Sequence, residues 1–341
     1  MKAVLVYPNP LESKIVESSV PEPGADEVLI KVVVAGCNPK DWKHPLWHDR
    51  AHNSGDDIAG YIEKVGEKIY EYTPGDRVAA FHKMQEPGGA YAEYAIAPAA
   101  TTFLVPSSIE LESAATIPLA GLTATLGLFV NLKLPTPWVP ATEKLPVFIN
   151  GGATAVGVFA MQLLKLANIG PIIVTAGKGA YVAKEYGADY VVDYRGKTPE
   201  QIGQEVRSYL KPGQRLIKAF DAVSEKNSNV LMSKCVDDSA DSAVVMVLPK
   251  VADDEFYSSS VINFETTRVK FAHVGDNSNR DLAFVMCRQF SKWLAEGNFR
   301  PHPHVVAKDG LAAVGRCLDE MKKGNVSGFK YVYRIADTPD L

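Results

Sequence analysis

The sequence has few cysteines and no strong charge of either sign. Its 341 residues include four scattered cysteines and no C-x-x-C pair. That pattern favours free, mostly buried thiols in a reducing compartment over disulfides or a metal cluster, so we expect a cytoplasmic protein. The formal net charge of −4 and a pI near 6.0 give no reason to expect a nucleic-acid partner.

The sequence also lacks a clear targeting segment. Residues 1–6 alternate and then meet Pro8 and Pro10, which predicts a first β-strand. No apolar run approaches the roughly 20 residues that a membrane-spanning helix needs, so no membrane partner is expected.

The pattern of predicted secondary structure changes along the chain, between about residues 105 and 112. Up to about residue 105, short β-branched runs such as 28–34 alternate with Gly/Pro turns, which predicts a β-rich domain. From residue 112 the chain turns helical and then alternates strands with helices, which predicts a parallel sheet covered on both faces. The predicted strands are 147–150, 172–176, 190–193, 217–221 and 243–248, and the predicted helices are 155–167, 180–186, 199–210 and 228–235.

The stretch FINGGATAVG, residues 148–157, lies at the first strand-to-helix turn of this alternation. Small residues there let backbone N–H groups approach a pyrophosphate at the helix N-terminus. A tight turn without a ligand is the alternative, but the position favours a nucleotide site. The predicted contacts are Gly151, Gly152, Thr154, Ala155 and Val156, with a hydroxyl donor from Thr154 and close packing at Gly157.

The end of the second strand of this region indicates which nucleotide binds. An NAD site usually has an acidic residue there, but the sequence is Val-Thr-Ala-Gly-Lys, ending at Lys178. Lys178 stands where a 2′-phosphate needs a cation, Tyr194 could donate to the same phosphate, and Arg195 would add charge. The alternative for Lys178 is a solvated loop lysine. We therefore expect NADPH as the cofactor.

The chain resembles the medium-chain dehydrogenase/reductase superfamily over nearly its whole length. The motifs, in order, are KAVLV, PEPGADEVLIKVVVAGCNPKDWK, GDDIAGYIEKVG, PGDRV, GGAYAEYA, AATIPLAGLTA, GADYVVDY and GNVSGFKYVYRI. The resemblance implies an α/β fold with a GroES-like β-rich catalytic domain, 1–124 completed by 280–341, and a doubly wound parallel-sheet Rossmann domain, 125–279. It also adds Asn38, Leu248 and Lys330 as candidate cofactor contacts.

Many members of that superfamily use zinc, and the matching positions here predict none. The first cysteine ligand is replaced by Asn38, and the Gly-His-Glu motif reads Gly55-Asp56-Asp57. Zinc needs three or four N, S or O ligands at fixed geometry. His44, His48 and His52 fall in what looks like a polar loop, and we expect them, with His302 and His304, to face solvent or substrate.

The zinc-free branch resembles quinone oxidoreductases and enoyl reductases, and NPKDWK and PLAGLTATLGL most resemble fungal trans-acting enoyl reductases. The resemblance implies hydride transfer from NADPH to an α,β-unsaturated carbonyl, with Lys43 and Thr123 near the reacting groups. Lys43 would be an oxyanion donor or proton source. The alternatives are a surface lysine and a packed threonine hydroxyl bonded to its own backbone.

Three functions remain open at this level. The first is an NADPH-dependent enoyl reductase acting on an enone or on an enoyl thioester, either free or bound to a carrier protein. The others are an NADPH quinone reductase and a non-catalytic NADPH-binding protein. Both a monomer and a homodimer are compatible with the sequence.

Overall fold

The computed structural model describes residues 1–225, 227–250, 255–274 and 277–341. These residues form two compact units. The first unit consists of Met1–Leu122 with Lys270–Leu341, and the second unit of Thr123–Val269.

The strands, in chain order, are β1 Lys2–Tyr7, β2 Glu12–Glu17, β3 Glu27–Gly36, β4 Asp57–Val65, β5 Arg77–Phe81, β6 Tyr94–Pro98, β7 Thr102–Leu104, β8 Val147–Asn150, β9 Ile172–Thr175, β10 Tyr190–Val192, β11 Lys218–Asp221, β12 Ala243–Met246, β13 Asn263–Thr266, β14 His304–Val306 and β15 Lys330–Arg334. The α-helices are α1 Lys40–His48, α2 Leu111–Ala114, α3 Pro118–Thr125, α4 Ala155–Leu166, α5 Ala180–Glu185, α6 Pro199–Ser208, α7 Ser228–Cys235, α8 Glu255–Ser259, α9 Asn277–Glu296 and α10 Val314–Lys322.

The second unit is built on a six-stranded, fully parallel sheet. Its strand order is β10-β9-β8-β11-β12-β13. Numbered from β8, that order is 3-2-1-4-5-6, which is the doubly wound Rossmann order. Strands β8, β9 and β12 are buried throughout, as expected of parallel strands covered on both faces. The predicted α/β fold class is confirmed.

The first unit is built on a β-rich sheet of the order β14-β15-β3-β4-β5-β7, with β6 paired to β3. The long central strand β3 carries two irregularities in its pairing with β4, and such bulges bend and twist a strand. A separate ribbon joins β1 to β2. Buried aliphatic side chains from β1, β3, β4 and β5 form a core with residues of α10.

The helical segment predicted after residue 112 consists of several shorter helices. Helix α2 ends before α3 begins, and a π-helical turn, Leu126–Asn131, follows α3. The expectation that no apolar run approaches the length of a membrane-spanning helix was wrong. The helical segment Leu111–Asn131 is long and apolar enough to cross a membrane, judged by length and composition only. However, 83% of its most apolar window is buried inside the protein, as in a core helix.

Candidate functional site

The predicted nucleotide turn joins β8 to α4. Thr154 is the N-cap of α4: its Oγ1 accepts from the Gly157 N–H at 3.0 Å and donates to the Gly151 carbonyl at 2.8 Å. Gly151 has a φ of +87°, a conformation that favours glycine. The predicted role of Thr154 changes accordingly, because its single hydroxyl proton already bonds to the turn and is not directed to a ligand.

Backbone donors remain at this turn. The Gly152 N–H bonds to the Thr175 carbonyl and the Thr154 N–H to the Gly151 carbonyl. Within the described ranges, the N–H groups of Ala153, Ala155 and Val156 have no hydrogen-bond acceptor. These three residues are partly exposed. Unpaired donors at a helix N-terminus fit a pyrophosphate, which accepts hydrogen bonds and is favoured by the helix dipole.

Two glycines of the turn are needed for close packing. A Cβ on Gly157 would lie 2.3 Å from the Gly151 carbonyl oxygen, so Gly157 lets α4 approach the turn. A Cβ on Gly152 would lie 2.5 Å from Cγ2 of Val174 in β9. Gly152 is therefore fixed by the neighbouring strand, and a side chain there would strike β9 before it reached a ligand.

Polar side chains that the sequence analysis missed link the carboxyl ends of three strands. Thr175 Oγ1 donates to Asn150 Oδ1 at 2.6 Å and accepts from the Gly151 N–H at 2.9 Å. Asn150 Nδ2 donates to Asp221 Oδ1 at 2.9 Å, and Ser228 Oγ donates to Asp221 Oδ2 at 2.5 Å. Polar residues at the carboxyl ends of adjacent strands of a parallel sheet are the signal that marks this edge. They hold the turn in place at the reversal of strand order, between β8 and β11.

The residues predicted to select the 2′-phosphate follow β9 and β10. Lys178 is exposed, and the Ala176 N–H bonds to the Val192 carbonyl, which joins the ends of the two strands. Tyr194 is 50% exposed, and a Cβ placed on Gly177 would lie 3.1 Å from its hydroxyl oxygen. The Tyr194 hydroxyl therefore lies beside the loop that carries Lys178.

Two other residues predicted near the cofactor have local partners. Arg195 forms a two-pronged ion pair with Asp193, at 2.9 Å from Nε and 2.6 Å from Nη2, so its charge is largely compensated, contrary to expectation. Leu248 follows β12 and is partly buried, and its carbonyl accepts from Thr266 at 3.4 Å.

In the first unit, the positions that resemble a zinc site are occupied by an ammonium-centred cluster. Lys330 Nζ pairs with Asp57 Oδ2 and donates to Asn38 Oδ1 at 3.1 Å. Asn38 Nδ2 donates to the same Asp57 oxygen at 2.7 Å, and the Leu119 N–H donates to its other oxygen at 2.7 Å. All three side chains are buried. Predicted contacts Asn38 and Lys330 are thus brought together around one carboxylate.

A second buried cluster surrounds Lys40. Its Nζ lies 2.9 Å from Asp41 Oδ1 and contacts Asp56 Oδ2 and the Ser54 carbonyl. Asp56 Oδ1 lies 2.7 Å from Nδ1 of His82. None of these contacts was predicted, because Lys40 and Asp41 are distant in sequence from Ser54, Asp56 and His82.

Asp41 connects this second cluster to the first through a hydrogen bond with Asn38. Asp41 Oδ2 accepts from the Tyr91 hydroxyl at 2.6 Å and from the Asn38 N–H at 2.7 Å. His82 Nε2, at the other end, donates to the Pro87 carbonyl at 3.1 Å. A continuous polar chain therefore runs through the first unit from His82 to Asn38 and on to Lys330.

Burial and pairing set the ionisation of this chain. Burial raises the pKa of Asp41 to about 6, against the opposing charge of Lys40. Burial also works against ionised Asp56, but Lys40 and His82 hold the pKa of Asp56 below its ordinary value. The two carboxylates in turn overcome burial and raise the pKa of Lys40.

Helix α1 carries the predicted catalytic Lys43. Only 6% of Lys43 is exposed, so the alternative of a surface lysine was wrong. Its Nζ lies 5.3 Å from the centroid of the Trp42 ring, a favourable distance for a cation–π contact. Thr123 is also buried and lies in α3, at the first residue of the second unit.

His48 is exposed as expected, whereas other histidines differ from expectation. His44 and His48 lie in α1 rather than in a loop. His302 is buried, and its Nδ1 has no hydrogen-bond partner in the part of the chain that the structure describes. Among the described residues, no group of three His, Cys, Asp or Glu side chains could hold a metal ion. The four cysteines are free and buried, as predicted.

A separate cavity of about 620 Å³ opens in the first unit. His82 and His273 lie on its wall, together with Lys83, Glu86 and Lys270. None of the predicted catalytic or cofactor residues lines it. The cavity touches the buried polar chain only through His82.

Comparison with known proteins gives the family. Residues 24–107 match the model of the alcohol dehydrogenase GroES-like domain. The chain is 35% identical over 314 residues to the trans-enoyl reductase fsr4 of Gibberella fujikuroi, covering 90% of each protein. It is 31% identical over 339 residues to the trans-enoyl reductase ccsC of Aspergillus clavatus, covering 91% of this chain and 89% of the relative. The chain belongs to the medium-chain dehydrogenase/reductase family. It is an oxidoreductase of that family.

Solved structures share the fold of this medium-chain reductase. A putative zinc-dependent alcohol dehydrogenase from Rhizobium etli has a TM-score of 0.80 at 21% identity, covering 98% of both chains. A mycobacterial protein solved with NADPH has a TM-score of 0.74 at 22% identity, covering 97% of this chain and 99% of the other. At these identities the likeness concerns the fold.

Proposed function

We propose that this protein is an NADPH-dependent, zinc-independent reductase of the activated C=C bond of α,β-unsaturated carbonyl compounds, with enoyl thioesters as the favoured substrate class. The observation that carries the proposal is the filling of the zinc-like positions. Asn38 and Asp57 bond to the Lys330 ammonium, and Asp56 bonds to the Lys40 ammonium. Without a Lewis acid to polarise an alcohol, hydride transfer to a conjugated acceptor is favoured over alcohol oxidation, and we propose an activated alkene as that acceptor.

The second unit supports the cofactor part of the proposal. The free N–H groups at Ala153, Ala155 and Val156 would hold the pyrophosphate. Lys178 and the Tyr194 hydroxyl would hold the 2′-phosphate, because a cation and a donor stand where an NAD site has an acid. Bound NADPH supplies the hydride that adds to the β-carbon of the alkene.

The first unit supports the catalytic part. Lys43 is a buried ammonium beside an aromatic face, and a charge held in a dry site interacts strongly with a developing anion. We assign Lys43 the donor that stabilises the enolate oxygen, which can also return a proton to the α-carbon. Thr123, in the second unit, is the other candidate hydrogen-bond donor to the substrate.

The name that two relatives share supports the enoyl substrate class. A thioester carbonyl activates the adjacent alkene and presents the oxygen that Lys43 would bind. The acyl group can arrive on a small thiol or on a carrier protein, and the chemistry at the alkene is the same.

The test is NADPH oxidation by the purified protein with a panel of enoyl thioesters, enones, quinones and aldehydes. We expect turnover with the first two classes, and Lys43→Met to lower kcat by about 10²- to 10³-fold, the loss typical of a removed oxyanion donor. The control is Lys322→Met, because Lys322 is exposed and lies 5.9 Å from the same Trp42 ring.

Three results would count against the proposal. Turnover with quinones alone would assign a quinone reductase. NADPH binding without turnover on any compound would assign a binding protein. Equal losses in Lys43→Met and Lys322→Met would remove Lys43 from the reaction.

A further inference from the structure

Helix α1 has little intrinsic stability. It has only nine residues, Lys40–His48, and its N-cap residue, Pro39, makes no side-chain capping bond. Pro45 lies inside the helix, where it has no N–H for the bond to the carbonyl four residues earlier. Isolated helices this short are marginal even without a proline. The position of Lys43 therefore depends on contacts that α1 makes with the rest of the first unit.

The first turn of α1 is held by the buried chain around Lys40. The first two helical residues, Lys40 and Asp41, both belong to that chain. Asp41 Oδ2 accepts a hydrogen bond from the Asn38 N–H, just before the helix, and Lys40 pairs with Asp56, directly before β4. His82, directly after β5, bonds to the second oxygen of Asp56. Two strand ends are thereby tied to one helix end.

The geometry limits what Lys40 itself can do. Its ammonium has three N–H groups, and three acceptors surround it: Asp41, Asp56 and the Ser54 carbonyl. No N–H is left for a substrate oxygen or for delivery of a proton. Lys40 therefore differs from Lys43, three residues later: Lys40 bonds to protein groups, whereas Lys43 is the proposed donor to the substrate.

Because these groups are buried, the attachment of helix α1 to β4 and β5 depends on every charged partner being present. Asp41, Asp56 and His82 are almost fully buried, and an unpaired charge in such a place is costly. A helix end tied by matched buried charges has one favoured position, because any displacement separates the charges.

We propose that Lys40, Asp56 and His82 are positioning residues that fix helix α1 on the ends of β4 and β5 and thereby present Lys43 for the reduction. The role of Lys43 rests on the proposed function, whereas the attachment of α1 does not. The two parts therefore have separate readouts.

The attachment is tested by hydrogen exchange of the α1 amides in the double variant Lys40→Met/Asp56→Asn. The double change removes one charge of each sign and leaves no new net charge. We expect the amides of residues 42–44 and 46–48 to exchange about tenfold faster or more, while exchange in the parallel sheet of the second unit is unchanged. The matched control is Lys64→Met/Glu22→Gln. These two residues form an exposed lysine–carboxylate ion pair with Nζ 2.5 Å from Oε2, and its removal should leave α1 exchange as in the wild type.

The consequence for Lys43 is tested by kinetics of the same variants with an enoyl thioester. We expect kcat to fall at least about tenfold in the double variant with little change in the KM for NADPH, because the NADPH phosphates are assigned to the second unit. If the double variant does not fold, His82→Gln replaces it. Glutamine keeps a donor for Asp56 but cannot also span to Pro87, so we expect the same changes to a smaller extent.

The results separate the inference from the proposed function. Wild-type α1 exchange in the double variant, or in His82→Gln if that variant replaces it, would overturn the inference whatever the activity. Faster α1 exchange with unchanged kcat would overturn the link to Lys43. A wild-type protein without turnover would end the proposed function, and the exchange measurement would still decide whether these residues hold α1.

Discussion

At the scale of single residues, the proposed preference for NADPH depends on Lys178 and Tyr194. Lys178 is exposed, and the Tyr194 hydroxyl lies beside the same loop. Arg195 is committed to Asp193, which leaves Lys178 as the cation proposed to meet a 2′-phosphate. The role of Lys178 is tested by its effect on two cofactors that differ only in the 2′-phosphate.

We expect Lys178→Ala to weaken NADPH binding by about 1 to 3 kcal/mol, the value of a charge-assisted hydrogen bond. NADH binding should change little, because NADH has no 2′-phosphate. The measurement is calorimetric titration with both cofactors, and Lys184→Ala, an exposed lysine of α5, is the control. Equal losses for NADPH and NADH would show that Lys178 does not contact the 2′-phosphate.

Individual roles were the least predictable from sequence. The small residues of the turn could be located, but the direction in which each points depends on neighbours far along the chain. The Val174 side chain occupies the space that a Cβ on Gly152 would need, and the Gly151 carbonyl accepts the hydrogen bond from the Thr154 hydroxyl. The partners of Lys40, namely Asp56 and through it His82, meet only when β4 and β5 pair.

At the scale of elements, the turn between β8 and α4 is the proposed phosphate site. Substitution of Gly152 would disturb β9, so Ala155 is the better position to test. Ala155 is the first residue of α4, is partly exposed, and has an N–H without an acceptor in the described ranges. An acidic residue there suits the helix N-terminus but repels a phosphate.

Ala155→Asp should therefore abolish NADPH binding without loss of stability in the cofactor-free protein. The wild type should gain about 2.7 kcal/mol from NADPH at a hundredfold excess over its Kd, seen as a thermal shift, and the variant should gain almost none. Ala155→Ser, which is similar in size and neutral, should behave as the wild type. An NADPH-dependent shift of wild-type size in Ala155→Asp would place the phosphates elsewhere.

Elements with a clear period were predictable, and short irregular ones were not. The parallel strands are continuous apolar runs separated by amphipathic helices, so β8 to β12 and α4 to α7 were found within a few residues of their ends. The sequence predicts a polar loop where helix α1 lies, because Pro45 and the two histidines of α1 obscure its helical period. Its helical state depends on burial of Asp41 and Lys43, which sequence does not display.

At the scale of the whole molecule, buried histidines should make stability depend on pH. Burial lowers the pKa of His44, His273 and His302 to about 3. In the unfolded chain they bind protons near pH 6.5. Between these values the unfolded state holds more protons, so stability falls as the pH falls. Asp41 opposes this trend by one proton, because its pKa is raised to about 6 and the folded state protonates first.

We expect the free energy of unfolding to decrease from pH 7 to pH 5, with each buried histidine contributing at most about 2 kcal/mol over that interval. Urea unfolding at the two pH values measures it. His302→Gln should reduce the pH-dependent loss, whereas His48→Gln, at an exposed position, should not. A loss in His302→Gln as large as in the wild type would mean that His302 titrates normally in the folded protein.

The central claim, that the protein transfers a hydride from NADPH to an activated alkene, is tested most directly by the position of a transferred deuterium. NADPH carrying deuterium at both hydrogen positions of the reactive nicotinamide carbon is supplied with an enoyl thioester, and the product is analysed by mass spectrometry and NMR. The proposed reaction gives a saturated thioester with one deuterium on the β-carbon and a solvent-derived hydrogen on the α-carbon. NADPH oxidation without deuterium in the product, or deuterium on the carbonyl carbon of an alcohol, would contradict it.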